Sequence, residues 1–305
     1  MPIARRTLGR TGAQVTILGL GGVCWNLKDS DREAVEVVLH AIDRGITYLD
    51  TASGYKESER RLGLALKERD RSALFIATKC VQRQGDAARR ELADSFARLQ
   101  VEVIDLVQLH ALDQEESPQK VLAEDGVLRL IEEYRQAGKI RFVGLTGHTY
   151  PARFIGLLQE GAISGGQRPA AASPSGPAPG AIQYDFDTIL NPVGPVNRVW
   201  NDFTQTSLAA ARARRMGTIG MKVMAYGQVP PEDRAAYLRF ALGQNVDVAI
   251  VGMDTVEQVE ENVRVAEAFA PLSAREEREV LDRALALVPR VRQKLWWLPE
   301  QRQAS

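Results

Sequence analysis

Four side chains that could together move a proton follow three successive strand-like runs of the sequence. Asp50 ends the run GITYLD, Lys79 ends LFIATK, His110 ends VIDLVQLH, and Tyr55 follows Asp50 within a loop that contains Ser and Gly. Apolar β-forming residues that stop at an ionisable residue indicate a strand that opens into a loop. The sequence therefore predicts that Asp, Tyr, Lys and His meet at one edge of a sheet.

This set of side chains is suited to acid catalysis at a carbonyl oxygen. A desolvated ion pair of Lys79 and Asp50 beside Tyr55 predicts a lowered pKa for the phenol, because the ammonium stabilises the phenolate. Tyr55 could then give a proton to a carbonyl oxygen and take it back in the reverse reaction. His110, if neutral, would donate a hydrogen bond and orient that carbonyl.

Each of these residues alone also fits a structural role. An Asp at a strand end can cap the following loop, a Lys or Tyr in a loop is commonly surface, and a His after an apolar strand is often a satisfied buried group. Four complementary residues at three consecutive strand ends seldom arise from structural needs alone. The joint occurrence favours a catalytic site.

Composition and charge exclude several classes of function. The chain has 305 residues with 39 Lys plus Arg and 39 Asp plus Glu. Its net charge is therefore zero, which gives no electrostatic reason to expect nucleic acid or an anionic membrane as a partner. No apolar run reaches about 18 residues, and MPIARRTLGRTG lacks the apolar core of a secretory signal, which predicts a cytoplasmic protein. The two cysteines, Cys24 and Cys80, form no disulfide framework or CxxC motif.

Strand-like and helix-like runs alternate along most of the chain. Strands are predicted at about 17–23, 46–50, 74–79, 103–109, 140–146, 181–186, 218–224 and 247–251, with helices at 30–44, 57–68, 86–98, 124–137, 151–159, 205–215, 232–242 and 255–268. Eight such units predict a single α/β domain over residues 1–305, a (β/α)8 TIM barrel. An open doubly wound sheet is disfavoured because no GxGxxG follows the first strand.

Three segments fall outside this alternation. Residues 4–16 carry a turn signal between two short β-like runs and predict an N-terminal β-hairpin. Residues 165–180 are rich in Pro, Ala, Gly and Ser, which predicts a flexible insertion. The C-terminal extension holds a predicted helix at 274–288 and the adjacent Trp296 and Trp297, which either lie over the barrel mouth or form a packing contact.

Motifs spread over nearly the whole chain resemble the aldo-keto reductase family. They are LGLGG from Leu18, D-T-A-x-x-Y from Asp50 to Tyr55, the strand-end Lys79, DLVQLH ending at His110, GKIRFVGLTGH and VGMDTVEQVEENV. The resemblance implies a reductase that moves a hydride from a nicotinamide ring to an aldehyde or ketone. It implies Tyr55 as the acid, Lys79 and Asp50 as the residues that tune it, and His110 as the residue that positions a small carbonyl substrate.

The resemblance also implies contacts to the cofactor from strand ends around the barrel: Gly22, Thr146, His148, Gln183, Met221, Lys222, Gly252, Met253, Gln258, Glu261 and Asn262. Gly147 and His148 take the places of the Ser-Asn pair that holds the nicotinamide carboxamide in the family, with Thr146 just before them, and Gln183 on the sixth strand matches the family's carboxamide-binding Gln. Met221 would cover the nicotinamide ring while Lys222 faces the phosphates, although a rival alignment uses Tyr226. The implied substrate pocket includes Trp25, Lys56 and Trp296, and its apolar bias hints at an aromatic or aliphatic carbonyl.

The cofactor motif departs from the family at two positions. NADP-preferring members carry a Lys and an Arg where this chain has Gly252 and Gln258. Each lost cation removes a charge-assisted bond to a 2′-phosphate worth about 1.5–3 kcal/mol. Arg264 or Lys222 could compensate. NADP(H) is the first expectation because the family favours it, and NAD(H) stays open.

Two other functions stay open at this stage. Lys79 could act as a Schiff-base nucleophile in a barrel aldolase, because a desolvated Lys at a strand end suits that chemistry. The chain could also be a non-catalytic nicotinamide-binding sensor or regulatory protein. A metal hydrolase is disfavoured because the histidines lie far apart in sequence. The sequence predicts no oligomeric state.

Overall fold

Eight parallel strands close into a barrel, as the sequence predicts. The structure is a computed structural model and describes residues 2–113, 120–121, 123–153, 184–300 and 302. The barrel strands are β3 (Leu18–Gly21), β4 (Tyr48–Asp50), β5 (Phe75–Cys80), β6 (Ile104–Leu109), β7 (Ile140–Thr146), β8 (Thr188–Pro192), β9 (Gly217–Met221) and β10 (Val248–Gly252). They pair in sequence order, and β10 closes the ring against β3. The (β/α)8 prediction is confirmed.

Helices cover the outside of the barrel and connect its strands. They are α1 (Asp31–Asp43), α2 (Ser58–Leu66), α3 (Gly85–Leu99), α4 (Val127–Gln136), α5 (Pro195–Trp200), α6 (Ser207–Ala213), α7 (Arg234–Leu242), α8 (Val256–Glu267) and α9 (Ala274–Val291). Side-chain oxygens of Ser30 and Thr255 accept hydrogen bonds from the first turns of α1 and α8, which fixes where these helices begin. Helix α5 is not predicted from the sequence. This helix begins at Pro195, a residue that is favoured in the first turn of a helix.

An N-terminal hairpin lies against one end of the barrel. Strands β1 (Arg5–Thr7) and β2 (Gln14–Thr16) pair antiparallel, as the turn signal predicts. Leu8 and Val15 from this hairpin are fully buried in the same apolar cluster as Tyr48 and Phe75 from the barrel strands. Because the hairpin packs into this cluster, the barrel interior is a packed core.

Parallel pairing brings the carboxyl ends of the strands to one rim. Gly21 lies opposite Asp50 across β3 and β4, Asp50 opposite Ala77 across β4 and β5, and Lys79 opposite Gln108 across β5 and β6. Side chains two residues apart on a strand point the same way, so Lys79 shares the face of Ala77 and reaches Asp50. This register positions the predicted catalytic residues.

Two predicted strand positions are wrong. The sixth barrel strand is β8 at Thr188–Pro192 and not 181–186; residues 184–186 lie outside any strand. The rings of Tyr184 and Phe186 pack on each other with centroids 4.7 Å apart, and the Tyr184 hydroxyl donates to Glu132 on α4, so these residues pack instead of pairing. The seventh strand ends at Met221, three residues earlier than predicted.

Two other predictions fall largely or wholly outside the described residues. The predicted insertion at 165–180 lies outside them, as does most of the predicted helix at 151–159, of which 151–153 are helical. The predicted extent of the single domain, 1–305, therefore stays a prediction.

The C-terminal extension is helical and folds back onto the barrel. Helix α9 begins with a capping box at Ser273 and packs against α5. The segment after it returns toward the rim, where Trp297 is fully buried with Val196 of α5 and Tyr237 of α7. Within the described residues, no helix combines the length and the apolar character that spanning a membrane requires.

Candidate active site

A buried ion pair lies at the carboxyl rim between β4 and β5. The Lys79 ammonium contacts the Asp50 carboxylate, and each side chain is only 2% exposed. Lys79 Nζ also donates to the Thr51 carbonyl oxygen at 2.7 Å, and Gln108 Nε2 donates to Asp50 Oδ2 at 3.3 Å. These bonds replace the water that both charges lose on burial.

The ion pair keeps its charges because each partner compensates the other. Burial works to lower the pKa of Lys79, but the charge of Asp50 and the neighbouring Tyr55 outweigh it, so the pKa lies above its ordinary value. Burial raises the pKa of Asp50, and the Lys79 ammonium and the Gln108 amide oppose that effect. Neutralising either partner alone would leave the other charge buried without compensation, so both stay ionised.

Tyr55 lies directly beside this pair. The Tyr55 ring is half-buried, and Lys79 Nζ lies 5.0 Å from its centroid. The His110 ring packs edge-on against the Tyr55 ring, with the two centroids 5.7 Å apart. The expected lowering of the Tyr55 pKa is wrong in direction. Burial raises this pKa, and the charge of Lys79 offsets only part of that effect. The phenol is therefore protonated at neutral pH, which is the state a proton donor needs.

His110 is neutral at physiological pH. Burial and the positive charges of Lys79, Arg83 and Lys222 lower its pKa to about 3. Arg83 also donates to the His110 carbonyl oxygen, which fixes the backbone of this strand end. A neutral imidazole here can donate one hydrogen bond, as the proposed orienting role requires.

A groove of about 670 Å³ runs from Tyr55 along β3, β9 and β10 to the first turns of α8. Many of the residues expected to contact cofactor or substrate line it: Gly22, Lys56, Met221, Lys222, Gly252, Gln258, Glu261 and Asn262. Gly22 is constrained by packing, since a Cβ there would come within 2.6 Å of Ser58 Oγ and 2.7 Å of the Trp25 ring. Any side chain at position 22 would therefore displace these buried neighbours, and Gly22 lines the groove with its backbone alone.

The remaining expected contacts lie elsewhere. Thr146 accepts from the Ala111 backbone N–H at 2.8 Å, and Met253 is fully buried beside Cys24. His148 is 4% exposed, with its ring 5.8 Å from that of His110, so both lie on the same side of the rim. Gln183 lies outside the described residues.

Asn191 is a candidate that the sequence reasoning missed. It lies near the carboxyl end of β8, fully buried, where it donates to the Gly147 carbonyl oxygen at 3.0 Å and accepts from Ser207 Oγ at 2.9 Å. A polar residue at a strand end is the signal that could have found it. The misplaced sixth strand hid that signal, because Asn191 then fell in a loop.

The two C-terminal tryptophans have different environments. Trp296 is 60% exposed, and its ring centroid lies 5.2 Å from that of His148, so it contacts the site. Trp297 is fully buried in the core. Of the two alternatives that the sequence leaves open, the position at the barrel mouth applies to Trp296 and the packing contact applies to Trp297. Trp25, expected in the substrate pocket, is fully buried and its indole N–H has no partner among the described residues.

The far end of the groove has mixed charge. Gln258 Oε1 accepts from the Asp254 backbone N–H at 2.8 Å, and Asn262 Nδ2 donates to the Gln258 carbonyl oxygen at 2.8 Å. The carboxylates of Asp254 and Glu261 and the guanidinium of Arg264 all lie on the groove wall. Within the described part of the chain, no three His, Cys, Asp or Glu side chains are grouped to bind a metal ion.

Residues 17–157 match the model of the aldo/keto reductase family. The chain is 32% identical over 169 residues to a 6-dehydroglucose reductase of Novosphingobium aromaticivorans, covering 49% of this chain and 53% of that protein. It is 31% identical over 158 residues to the aldo-keto reductase YhdN of Bacillus subtilis, covering 46% of each. The chain thus aligns with about half the length of these curated relatives.

Solved structures of similar fold cover nearly the whole chain. The holo form of an aldo-keto reductase from Bacillus halodurans superposes with a TM-score of 0.68 at 22% identity, covering 92% of this chain and 96% of that one. An aldo/keto reductase from Brucella melitensis gives a TM-score of 0.66 at 16% identity, covering 92% and 99%. At these identities the likeness concerns the fold.

The depressed pKa of His110 predicts a pH dependence of stability. Its pKa is about 3 in the folded protein against an ordinary 6.5, so between these values the unfolded chain binds a proton that the folded protein does not. The free energy of unfolding therefore rises with pH in this window and falls as pH drops toward 3. We expect His110→Asn to flatten this dependence, measured by urea unfolding across the window. An unchanged slope would contradict the assignment of a neutral buried imidazole.

Proposed function

We propose that the chain is a nicotinamide-dependent carbonyl reductase of the aldo/keto reductase family, because residues 17–157 match the model of that family and the barrel has the fold of solved aldo-keto reductases. Its substrate would be a small aldehyde or ketone that is reduced to an alcohol. Two relatives are named as a 6-dehydroglucose reductase and an L-galactose dehydrogenase. These names support a carbonyl compound and an alcohol as substrate and product.

The observation that carries this proposal is the arrangement of Tyr55 over the buried ion pair. Lys79 Nζ lies 5.0 Å from the Tyr55 ring centroid and contacts Asp50, while His110 meets the same ring from the side. The four side chains come from three strand ends and one loop, so no local structural need groups them. Their protonation states, a protonated phenol and a neutral imidazole, are those that a proton donor and an orienting group require.

The groove fits an elongated dinucleotide. It has an apolar wall at Met221 and Ile250, a close backbone approach at Gly22, and polar side chains of Gln258 and Asn262 at its far end. Its volume of about 670 Å³ lies within the range of small-molecule and cofactor sites. The first turn of α8 adds backbone N–H groups and the positive end of a helix dipole, which favour phosphate.

The proposed chemistry divides between cofactor and chain. A reduced nicotinamide, when bound, supplies hydride to the carbonyl carbon. His110 holds the carbonyl oxygen by a hydrogen bond, and Tyr55 donates its phenolic proton to that oxygen. The Lys79 ammonium stabilises the phenolate that Tyr55 becomes, and Asp50 keeps the ammonium charged and in place. Reprotonation of Tyr55 from solvent completes the cycle.

The state of Lys79 argues against the aldolase alternative. A Schiff-base lysine must lose its proton to attack a carbonyl. Lys79 is in contact with Asp50 and donates to the Thr51 carbonyl oxygen, and its pKa lies above the ordinary value although burial works to lower it. It is therefore a stable cation and a poor nucleophile. The remaining alternative, a nicotinamide-binding protein without turnover, differs from the reductase only in activity.

Replacing Tyr55 with Phe tests the acid assignment. The variant lacks the phenolic proton but keeps the ring, so we expect carbonyl reduction to fall by at least about 100-fold. The dissociation constant of NADPH or NADH, measured by fluorescence titration, should stay within about twofold of the original value. Tyr134→Phe is the matched control, because that ring stacks on Phe96 between α3 and α4, away from the groove. Activity that survives Tyr55→Phe would overturn the acid assignment.

A single charge at the far end of the groove should shift cofactor choice. Gln258 lines this end, where Asp254 and Glu261 are acidic and Arg264 is the cation on the same stretch of wall. We expect Gln258→Arg to raise affinity for NADPH relative to NADH by about tenfold, since a charge-assisted bond to the 2′-phosphate becomes available. Parallel fluorescence titrations measure this ratio, and Gln258→Met is the neutral control. An unchanged ratio in Gln258→Arg would remove position 258 from the proposed phosphate site.

A further inference from the structure

Lys222 follows β9 directly and lies among three aromatic rings. Its Nζ is 5.4 Å from the ring centroid of Tyr226, 5.0 Å from that of Trp296 and 4.8 Å from that of Trp297. The backbone of Lys222 has a φ of 60°, a left-handed conformation that is uncommon for residues other than glycine. The side chain is thus directed into this aromatic cage by an unusual backbone turn.

Lys222 forms no ion pair within the described part of the chain, in contrast to Lys79. Burial and the charge of Lys79 lower the pKa of Lys222 to about 8, and no carboxylate acts in the opposite direction. Aromatic faces stabilise an ammonium but do not neutralise its charge. Lys222 is half-buried, and a partly desolvated cation without an opposite charge is suited to bind an anion.

The charge of Lys222 acts on the side of the rim where the carbonyl is proposed to bind. It lowers the pKa of both His110 and His148, so its field reaches both imidazoles. His148 Nδ1 and Trp297 Nε1 are buried and have no hydrogen-bond partner among the described residues. The Trp296 ring contacts both His148 and Lys222: its centroid lies 5.2 Å from that of the His148 ring and 5.0 Å from Lys222 Nζ. Lys222 also lines the same groove as Tyr55, so an unpaired cation lies on the wall of the space that the proposed acid faces.

We propose that Lys222 binds an anionic group of the substrate, so that the enzyme prefers carbonyl compounds that carry a carboxylate. This inference rests on the proposed reductase function and names the substrate class for the same site. The C-terminal segment takes part directly, because the Trp296 and Trp297 rings both contact the Lys222 ammonium and Trp296 also contacts His148. The other source of an anion is the cofactor, since Lys222 was expected from the sequence to face its phosphates, and the test separates the two sources.

Binding of a carboxylate can be measured without turnover. Benzoate and its neutral analogue benzamide are titrated against the full-length protein, with and without saturating oxidised cofactor, and tryptophan fluorescence reports occupancy beside Trp296. We expect benzoate to bind at least about tenfold more tightly than benzamide, and this preference to disappear in Lys222→Met. Lys222→Arg should restore most of it, because the charge returns.

Two controls separate this role from a structural one. Lys139→Met removes an exposed lysine whose Nζ lies 5.9 Å from the Tyr134 ring, so it deletes a comparable cation–π contact away from the groove. It should leave the benzoate preference intact. The dissociation constant of NADH is measured in every variant, so that a loss of cofactor binding is distinguished from a loss of the benzoate preference.

Steady-state kinetics extend the test to catalysis. For a carboxybenzaldehyde and its methyl ester, we expect the ratio of kcat/KM for the acid to kcat/KM for the ester to fall at least about tenfold in Lys222→Met. Equal losses for both, or benzoate binding that is unchanged in Lys222→Met, would overturn the proposal. Weakened NADH binding in Lys222→Met with an unchanged acid preference would assign Lys222 to the cofactor phosphates instead. If wild type bound benzoate through Lys222 but reduced neither aldehyde, the reductase function would fail while the anion site stood.

Discussion

The buried Asp50–Lys79 ion pair is the interaction on which the rest of the site depends. Removing one partner of such a pair costs about 3–5 kcal/mol, because the other charge is left buried without compensation. The pair exists because β4 and β5 are in a register that puts Asp50 opposite Ala77, with Lys79 on the same face two residues further on. The barrel therefore fixes the cation beside Tyr55, and the proposed proton transfer would need no reorganisation of this pair.

Around this pair the rim carries an excess of positive charge. Lys79, Arg83 and Lys222 all act on His110, and their charges together with burial keep its imidazole neutral. Burial raises the pKa of the Tyr55 phenol, and the ammonium of Lys79 offsets only part of that effect. Such surroundings suit a reaction in which negative charge develops on an oxygen, because the cations lie nearby while the acid keeps its proton. The same charge excess makes an anionic substrate group a physically reasonable ligand.

Sequence periodicity predicted the barrel and the three strand-end residues, because both follow from local patterns. Apolar runs that stop at Asp50, Lys79 and His110 indicate strand ends whatever lies around them. The direction of the Tyr55 pKa shift could not be predicted, since it depends on how much solvent the whole rim excludes. Asn191 was missed because β-forming residues before Asp187 draw the predicted strand too early, and those residues pack on each other and on α4.

The aromatic cage around Lys222 was equally hidden from local patterns. Its rings come from a loop after β9 and from the end of the chain, so only the tertiary fold brings them together. The separate roles of Trp296 and Trp297 have the same origin. The two rings contact each other, with centroids 5.9 Å apart, and packing against α5, α7 and α9 buries only Trp297.

Hydride transfer to a carbonyl carbon at this rim is the step that defines the proposed reductase. The direct measurement is reduction of an aldehyde with a nicotinamide cofactor that carries deuterium at the transferable position of its ring, followed by mass spectrometry and NMR of the alcohol. The proposed mechanism predicts one deuterium on the carbinol carbon, delivered to a single face. Absence of deuterium from the product, or no alcohol at all from a protein that binds the cofactor, would contradict the mechanism.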